Sequence, residues 1–332
     1  MKRNSGLFAA FLILLASGYF ISAYFDKNID DPDPATPNDS LPSMIARPYP
    51  MPDHLVFAGE EMPLDDIDLR ERYDREIMSN AYFHSNTIIL LKKSGRWFPI
   101  MKPILEKNNI PPDFVFLPVV ESGLANVVSP KKAVGFWQLT EGSARELGLT
   151  VNAEIDERYD PVKSTEAACI FLNKAKEKFG TWTNAAAAYN MGMHALNRSM
   201  EMQKMDSYYN LLLNEETSRY IFRILALKEI FQDPEAYGFY IPKDQYYQPE
   251  AVKKVEIRQS VPDFADFALA HGINYKLLKR YNPWLRTNHL TLKEGSGTVT
   301  VEIPVNHHQF SRETPPSGDS LMIGDDRQSP EE

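Results

Sequence analysis

Residues 160–180 read DPVKSTEAACIFLNKAKEKFG, and both ends of a helix are written into them. Asp160 is a residue type that accepts hydrogen bonds from the free amides of a first turn. Pro161 follows at the position where a proline's missing N–H costs nothing. Ala167, Ala168, Phe171, Leu172, Ala175 and Phe179 then recur at helical spacing, and Gly180 stands where a left-handed C-terminal cap belongs. Nearer the N-terminus, Leu69, Tyr73 and Ile77 repeat at spacing four. From about Leu64 to Phe239 no convincing strand-type alternation interrupts the helical pattern, so residues 61–240 are predicted to form a mainly α domain.

The flanks read differently. Beyond Ile241, Val255-Glu256-Ile257 alternates, Phe264–Ala270 and Tyr275–Tyr281 are short helical patches, and Val299–Ile303 alternates again before Pro304. That order predicts a small α+β (βααβ) unit at 250–305. Residues 306–332 are polar and are expected to be a disordered tail. At the other end, residues 1–25 read MKRNSGLFAAFLILLASGYFISAYF. Lys2 and Arg3 precede a charge-free run whose apolar centre has signal-peptide length, and Ala16-Ser17-Gly18 suits cleavage. Residues 6–25 are also long enough to span a bilayer. A cleaved signal peptide and a signal anchor both fit; in either case the remainder is exported to the cell envelope, the periplasm, with the basic flank left behind. Residues 26–60 are expected to be a proline-rich linker, since seven prolines fall between 26 and 53.

Composition narrows the function. The 332 residues carry 36 basic and 45 acidic side chains, a net charge of −9, with no Lys/Arg stripe, so no nucleic-acid partner is expected. Hydrophobic residues make up 43%, which excludes a globally disordered chain. One cysteine, Cys169, allows neither a disulfide framework nor a thiolate zinc site; on its apolar stripe it reads as a small buried hydrophobe. The seven histidines are scattered, so neither a metal nor another cofactor is expected. The chain is expected to be a monomer that meets the membrane only through its N-terminal segment.

The segment that looks chemical is 112–121, PDFVFLPVVE. Read as one helix it is apolar nearly all round and hence buried. Glu121 falls about 20° from Phe114 around an ideal axis, at the C-terminal end. Desolvation and the negative end of the helix dipole both disfavour a carboxylate there. A carboxyl kept protonated near neutral pH suits a general acid; a glutamate that reaches solvent as the helix ends fits the same residues. Pro118 is expected to kink the helix. Three further segments stand out: Gly135-Phe-Trp-Gln-Leu139 beside a predicted helix start; Ala185-Ala-Ala-Ala-Tyr-Asn190 at a helix end, with Gly192 beyond; and Glu216-Thr-Ser-Arg-Tyr220 opening a helix that runs to about Phe231.

In this order and spacing the segments resemble the catalytic domain of the soluble lytic transglycosylase superfamily. Glu121-Ser122 matches its Glu-Ser motif, and Gly135-Phe136-Trp137-Gln138 its Gly-Leu-Met/Trp-Gln motif with Phe for Leu. Ala188–Gly192 matches Ala-Tyr-Asn-x-Gly. Glu216–Tyr220 matches Glu-Thr-Arg-x-Tyr with Ser218 in place of the arginine. The resemblance implies a goose-type-lysozyme-like α fold acting on peptidoglycan glycan strands. Glu121 would be the single acid and base, cleaving the bond between N-acetylmuramic acid (MurNAc) and N-acetylglucosamine (GlcNAc) with formation of a 1,6-anhydro ring. Ser122 and Tyr220 would orient Glu121 or the sugar, Gln138, Tyr189 and Asn190 would line the cleft, and Phe136 or Trp137 would stack on sugars. Residues 250–305 resemble a divergent lysin-motif (LysM) module, in which Val261-Pro-Asp-Phe264 replaces the usual Gly-Asp-Thr-Leu start. Two further readings stay open: a catalytically silent glycan-binding scaffold on the same fold, and a hydrolytic muramidase.

Overall fold

The computed structural model describes residues 47–293, 295 and 297–305. The expected N-terminal signal segment, most of the proline-rich linker and the C-terminal tail lie outside the described residues. Among the described residues no helix is long and apolar enough to cross a membrane.

A short antiparallel pair, β1 (Val56–Phe57) and β2 (Glu60–Glu61), opens the fold. Helices follow: α1 (Ile67–Tyr82), α2 (His84–Lys107), α3 (Leu117–Ser122), α4 (Glu141–Glu146), α5 (Pro161–Phe179), α6 (Trp182–Met191), α7 (Met193–Gln203), α8 (Glu215–Ser218) and α9 (Tyr220–Gln232). The end signals of α5 act as the sequence indicates. Asp160 accepts from the amides of Val162 and Lys163, and Gly180 closes the helix at φ 77°. Helix α9 is the hydrophobic axis of the domain. Its residues Ile221, Phe222, Ile224, Leu225, Ala226 and Ile230 are all fully buried, as expected of a helix whose apolar residues far outnumber its polar ones.

The linker does not extend to residue 60. Leu55, Phe57 and Met62 belong to the core, and two polar anchors tie this segment down. Lys228 donates to the Val56 carbonyl and to Asp113, whose carboxylate also accepts the Ala58 amide. The Glu60 carboxylate caps the N-terminus of α6, accepting the amides of Trp182 and Thr183 at 2.6 and 2.9 Å. An anion at a helix N-terminus satisfies free amides and complements the dipole.

The C-terminal unit has the predicted order: β3 (Val252–Ile257), α10 (Phe264–Ala270), α11 (Tyr275–Tyr281) and β4 (Val299–Pro304), with β3 and β4 antiparallel. It closes a second hydrophobic core around Phe264, Leu278, Leu285, Val301 and Ile303. The fold is thus a mainly helical domain joined to a small βααβ unit. Cys169 is buried in the helical core, and burial pushes its thiol up to about 12.

Candidate active site

The segment 112–121 is not one kinked helix. Pro112–Phe116 forms a 3-10 helix, and α3 starts afresh at Leu117, which puts Pro118 in a first turn. There its missing N–H is harmless, so the proline starts a helix instead of bending one. The facing of Glu121 is therefore set by the end of a short helix, not by ideal periodicity from Phe114. Gly123 caps α3 at φ 60°, its amide and that of Leu124 returning to the carbonyls of Val119 and Pro118. The Gly123–Val119 bond is the αL cap pattern, with the Leu124 amide adding a second return. Ser122 reinforces it: its hydroxyl donates to the Pro118 carbonyl at 2.9 Å and accepts the Ala125 amide. Lys93 donates to the Gly123 carbonyl at 2.7 Å.

Against this fixed end, the Tyr220 hydroxyl donates to Glu121 Oε1 at 2.6 Å. Tyr220 is the first residue of α9 and its ring is buried. Glu121 Oε2 accepts no hydrogen bond among the described residues. Burial raises the Glu121 pKa above the ordinary glutamate range; the Tyr220 hydroxyl pulls it back, Glu216 pushes it up and Arg223 draws it down. Burial, and then the Glu121 charge, hold the phenols of Tyr189 and Tyr220 far above 10, so both stay neutral donors. The geometry thus provides a desolvated carboxyl with one oxygen held by a phenol and the other open.

Tyr189 lies in the field of Glu121 but does not bond it. Its hydroxyl donates to the Trp137 carbonyl at 2.6 Å. That carbonyl belongs to a tight turn, not to the predicted helix start: Val134 and Leu139 exchange backbone hydrogen bonds of 3.0 and 3.2 Å across residues 135–138. The turn needs positive φ at Gly135 (82°) and takes it again at Gln138 (47°). Gln138 uses its side-chain N–H groups on the carbonyls of Gly135 and Val127, at 2.7 and 3.1 Å, and its Oε1 accepts no hydrogen bond among the described residues. Asn190 is half-buried, and its side chain makes no hydrogen bond among the described residues.

Neither aromatic of the turn presents a stacking face. Phe136 is 2% exposed and packs edge-on against Trp97, its ring centroid 4.7 Å away. Trp137 is fully buried, with its indole N–H on Thr165. The assignment of Phe136 to sugar stacking is corrected accordingly: its apolar ring packs in the core. Sequence reasoning also passed over Arg223, a cation whose charge lowers the Glu121 pKa. It sits one turn beyond Tyr220 as a single charge in an otherwise apolar start, YIFRILAL, and that isolation was the available signal. Arg219, next to the substituted Ser218, ion-pairs the buried Glu76, while Ser218 caps locally onto Glu215. Among the described residues no cluster of His, Cys, Asp or Glu could hold a metal ion.

With this geometry in place, similarity to known proteins can be assigned. Residues 99–212 match the transglycosylase SLT domain, and residues 253–307 match the soluble lytic transglycosylase C-terminal LysM-like domain. The first match contains Glu121, Ser122, Gln138, Tyr189 and Asn190 but stops short of Tyr220 and Arg223. The membrane-bound lytic murein transglycosylase D of Escherichia coli K12 is 29% identical over 280 residues, 81% of this chain and 59% of that protein. The chain therefore spans somewhat over half the length of that relative. A putative tributyltin chloride resistance protein of Alteromonas sp. strain M-1 is 36% identical over 111 residues, 32% of this chain and 54% of its own length. Among solved structures, an inactive mutant of the lytic transglycosylase Slt from Pseudomonas aeruginosa aligns over 55% of this chain and 35% of its own, at 16% identity and a TM-score of 0.33. The two matched segments divide the chain as its two hydrophobic cores do, and the chain is one that carries a transglycosylase SLT domain followed by a LysM-like C-terminal domain of the soluble lytic transglycosylase type.

Proposed function

We propose that the chain is a peptidoglycan lytic transglycosylase in which Glu121 serves as both acid and base. The Glu121 carboxyl donates its proton to the glycosidic oxygen between MurNAc and GlcNAc as the bond to C1 breaks. The resulting carboxylate then takes the proton of the muramic 6-hydroxyl, whose oxygen closes on C1 to give the 1,6-anhydro ring. No water is consumed, so a second carboxylate to activate one is not required. The observation that carries this reading is the desolvated Glu121 carboxyl anchored through a single oxygen by Tyr220. Burial favours the proton-bearing form needed first, and the phenol stabilises the anion needed next. Gln138 Oε1 and the Asn190 amide supply unused polar groups suited to N-acetyl and hydroxyl groups of a sugar.

The proposed division of the chain is a catalytic domain up to about residue 240 and a LysM-like module at 250–305 that adds glycan-binding surface. The similarity to a membrane-bound murein transglycosylase and the apolar N-terminal run support a place in the cell envelope. The deciding experiment is a mass spectrum of the muropeptides released from purified sacculi by the full chain. Products with 1,6-anhydromuramic ends, one water lighter than hydrolytic products, are expected. Reducing-end muramic acid would make the protein a muramidase, and binding without release would make it a silent scaffold.

A further inference from the structure

The C-terminal module is not held to the helical domain by its linker alone. Its segment Trp284–Arg286 lies antiparallel to Glu154–Asp156: the Asp156 amide donates to the Trp284 carbonyl at 2.9 Å, the Arg286 amide to the Glu154 carbonyl at 2.8 Å, and Ile155 pairs with Leu285. The Glu154 carboxylate accepts the Thr291 amide at 2.6 Å, and the Arg286 guanidinium lies 3.9 Å above the Tyr159 ring. The helical-domain side of this seam continues inward. Asp156 clamps Arg158 with both oxygens, at 2.9 and 2.7 Å, in a buried pair. Arg158 Nη1 in turn reaches the carbonyls of Lys132 and Leu139, both at 3.3 Å, and the Arg158 carbonyl sits where a side chain on Gly135 would have to go. Lys132 and Leu139 flank the turn that holds Gln138 and the Trp137 carbonyl used by Tyr189.

We propose that Asp156 and Arg158 are positioning residues through which the docked C-terminal module fixes the Gln138 turn of the catalytic cleft. The module is on this view a brace for the cleft wall as well as any glycan-binding surface it offers. Three physical features carry the inference. The seam is a backbone pairing, which fixes register and direction where a side-chain contact would not. The Asp156–Arg158 fork is bidentate and buried, so it transmits position with little slack. The turn at its far end has positive φ at two residues, and such a backbone persists only where its surroundings over-determine it. The catalytic consequence rests on the proposed activity; the mechanical coupling does not.

The test loosens the seam at its surface, where folding is not at stake. In the full chain, Glu154→Ala combined with Arg286→Ala removes the Thr291 acceptor and the cation over Tyr159. Backbone amide hydrogen exchange is then followed at Gln138 and Leu139. The expected result is exchange faster by at least about fivefold, the scale of a coupled pair, at these amides, with α6 and α9 unchanged. Arg158→Lys, which keeps the charge but loses the fork, should act on the same amides. Combining it with the seam variant should add less than the sum. On sacculi both variants should lower kcat with KM changed less, while the pH profile set by Glu121 stays in place. Unchanged exchange at Gln138 and Leu139 in the seam variant, or strict additivity of the two perturbations, overturns the coupling whatever the enzyme assay gives. Faster exchange in a chain that releases no muropeptide leaves the coupling standing and overturns the catalytic reading alone.

Discussion

Replacing Tyr220 by Phe isolates the one hydrogen bond on which the proposed acid depends. The substitution removes the hydroxyl that donates to Glu121 Oε1 at 2.6 Å and leaves the ring, which is 2% exposed, packed at the head of α9. While Glu121 is protonated the bond is neutral, and its loss costs stability about 1 kcal/mol. When Glu121 is ionised the same donor serves a charged acceptor, and the bond is worth about 1.5–3 kcal/mol. Only the difference, about 0.5–2 kcal/mol, is lost as Glu121 ionises in giving up its proton, so turnover falls about 2- to 30-fold, at 1.36 kcal/mol per decade. The direction of the pH effect is fixed as well. Tyr220 lowers the Glu121 pKa, so without it the carboxyl ionises at higher pH and the alkaline limb of the rate profile moves up. Initial rates of muropeptide release from sacculi across pH, with thermal unfolding of the same samples, measure all three quantities. An alkaline limb that stays put or moves down, or an undiminished rate, would refute the reasoning: Tyr220 would then be a core residue that happens to touch Glu121.

Glu121→Gln should lower muropeptide release by at least about a hundredfold, the scale of a lost general acid, and should not destabilise the fold. Because the folded-state pKa of Glu121 is raised above the ordinary 4.5, this group favours the folded state below that value and loses the contribution as pH rises through its folded pKa. The variant should therefore match or exceed wild-type melting temperature at high pH, with the gap closing in acid; a variant less stable at pH 8 than at pH 5 relative to wild type contradicts the desolvation argument. Tyr189→Phe should act first on stability, by about 1–3 kcal/mol, because it strands the Trp137 carbonyl; chemical denaturation reads this, and loss of turnover with unchanged stability would return Tyr189 to direct work on Glu121. Gly135→Ala should cost about 1–3 kcal/mol or more, since its Cβ would lie 2.0 Å from the Arg158 carbonyl oxygen at φ 82°; an undiminished melting temperature would show that the turn can shift.

How much of this was legible in the sequence depends on the range of the interaction that decides each feature. The bounds of α5, the end of α6 at Gly192 and the βααβ order rest on caps and periodicities spanning a few residues, and they were readable. The Gly135–Leu139 turn was not. It looks like a helix start because a glycine and an amide precede the real cap at Thr140, and Arg158 and Tyr189, some 20 and 50 residues on, help to hold it as a turn. Glu121 itself was legible as a carboxyl out of place among apolar residues. Its partner was legible only by resemblance, since nothing local tells Tyr220 from any other tyrosine opening a buried helix. The linker boundary failed for the same reason: the Glu60 carboxylate looks like surface until α6, 122 residues later, supplies two amides for it.

In the proposed mechanism a single carboxylate need not be a compromise between acid and base. A buried glutamate with no donor would hold its proton too tightly to give it up, and one with two or three donors would ionise too early to carry it. Glu121 has one donor, on one oxygen, from a phenol that burial and the Glu121 charge itself keep protonated. The donor cannot be lost by titration within the working range, so the balance between desolvation and a single hydrogen bond is set by geometry alone. That geometry is fixed at both ends, by the Gly123 cap of α3 and by the buried start of α9. The same logic accounts for Tyr189. A second phenol bonded directly to Glu121 would tip the carboxyl toward the anion, whereas Tyr189, turned to the Trp137 carbonyl, leaves Oε2 without a donor among the described residues, open in the proposed mechanism to the glycosidic oxygen.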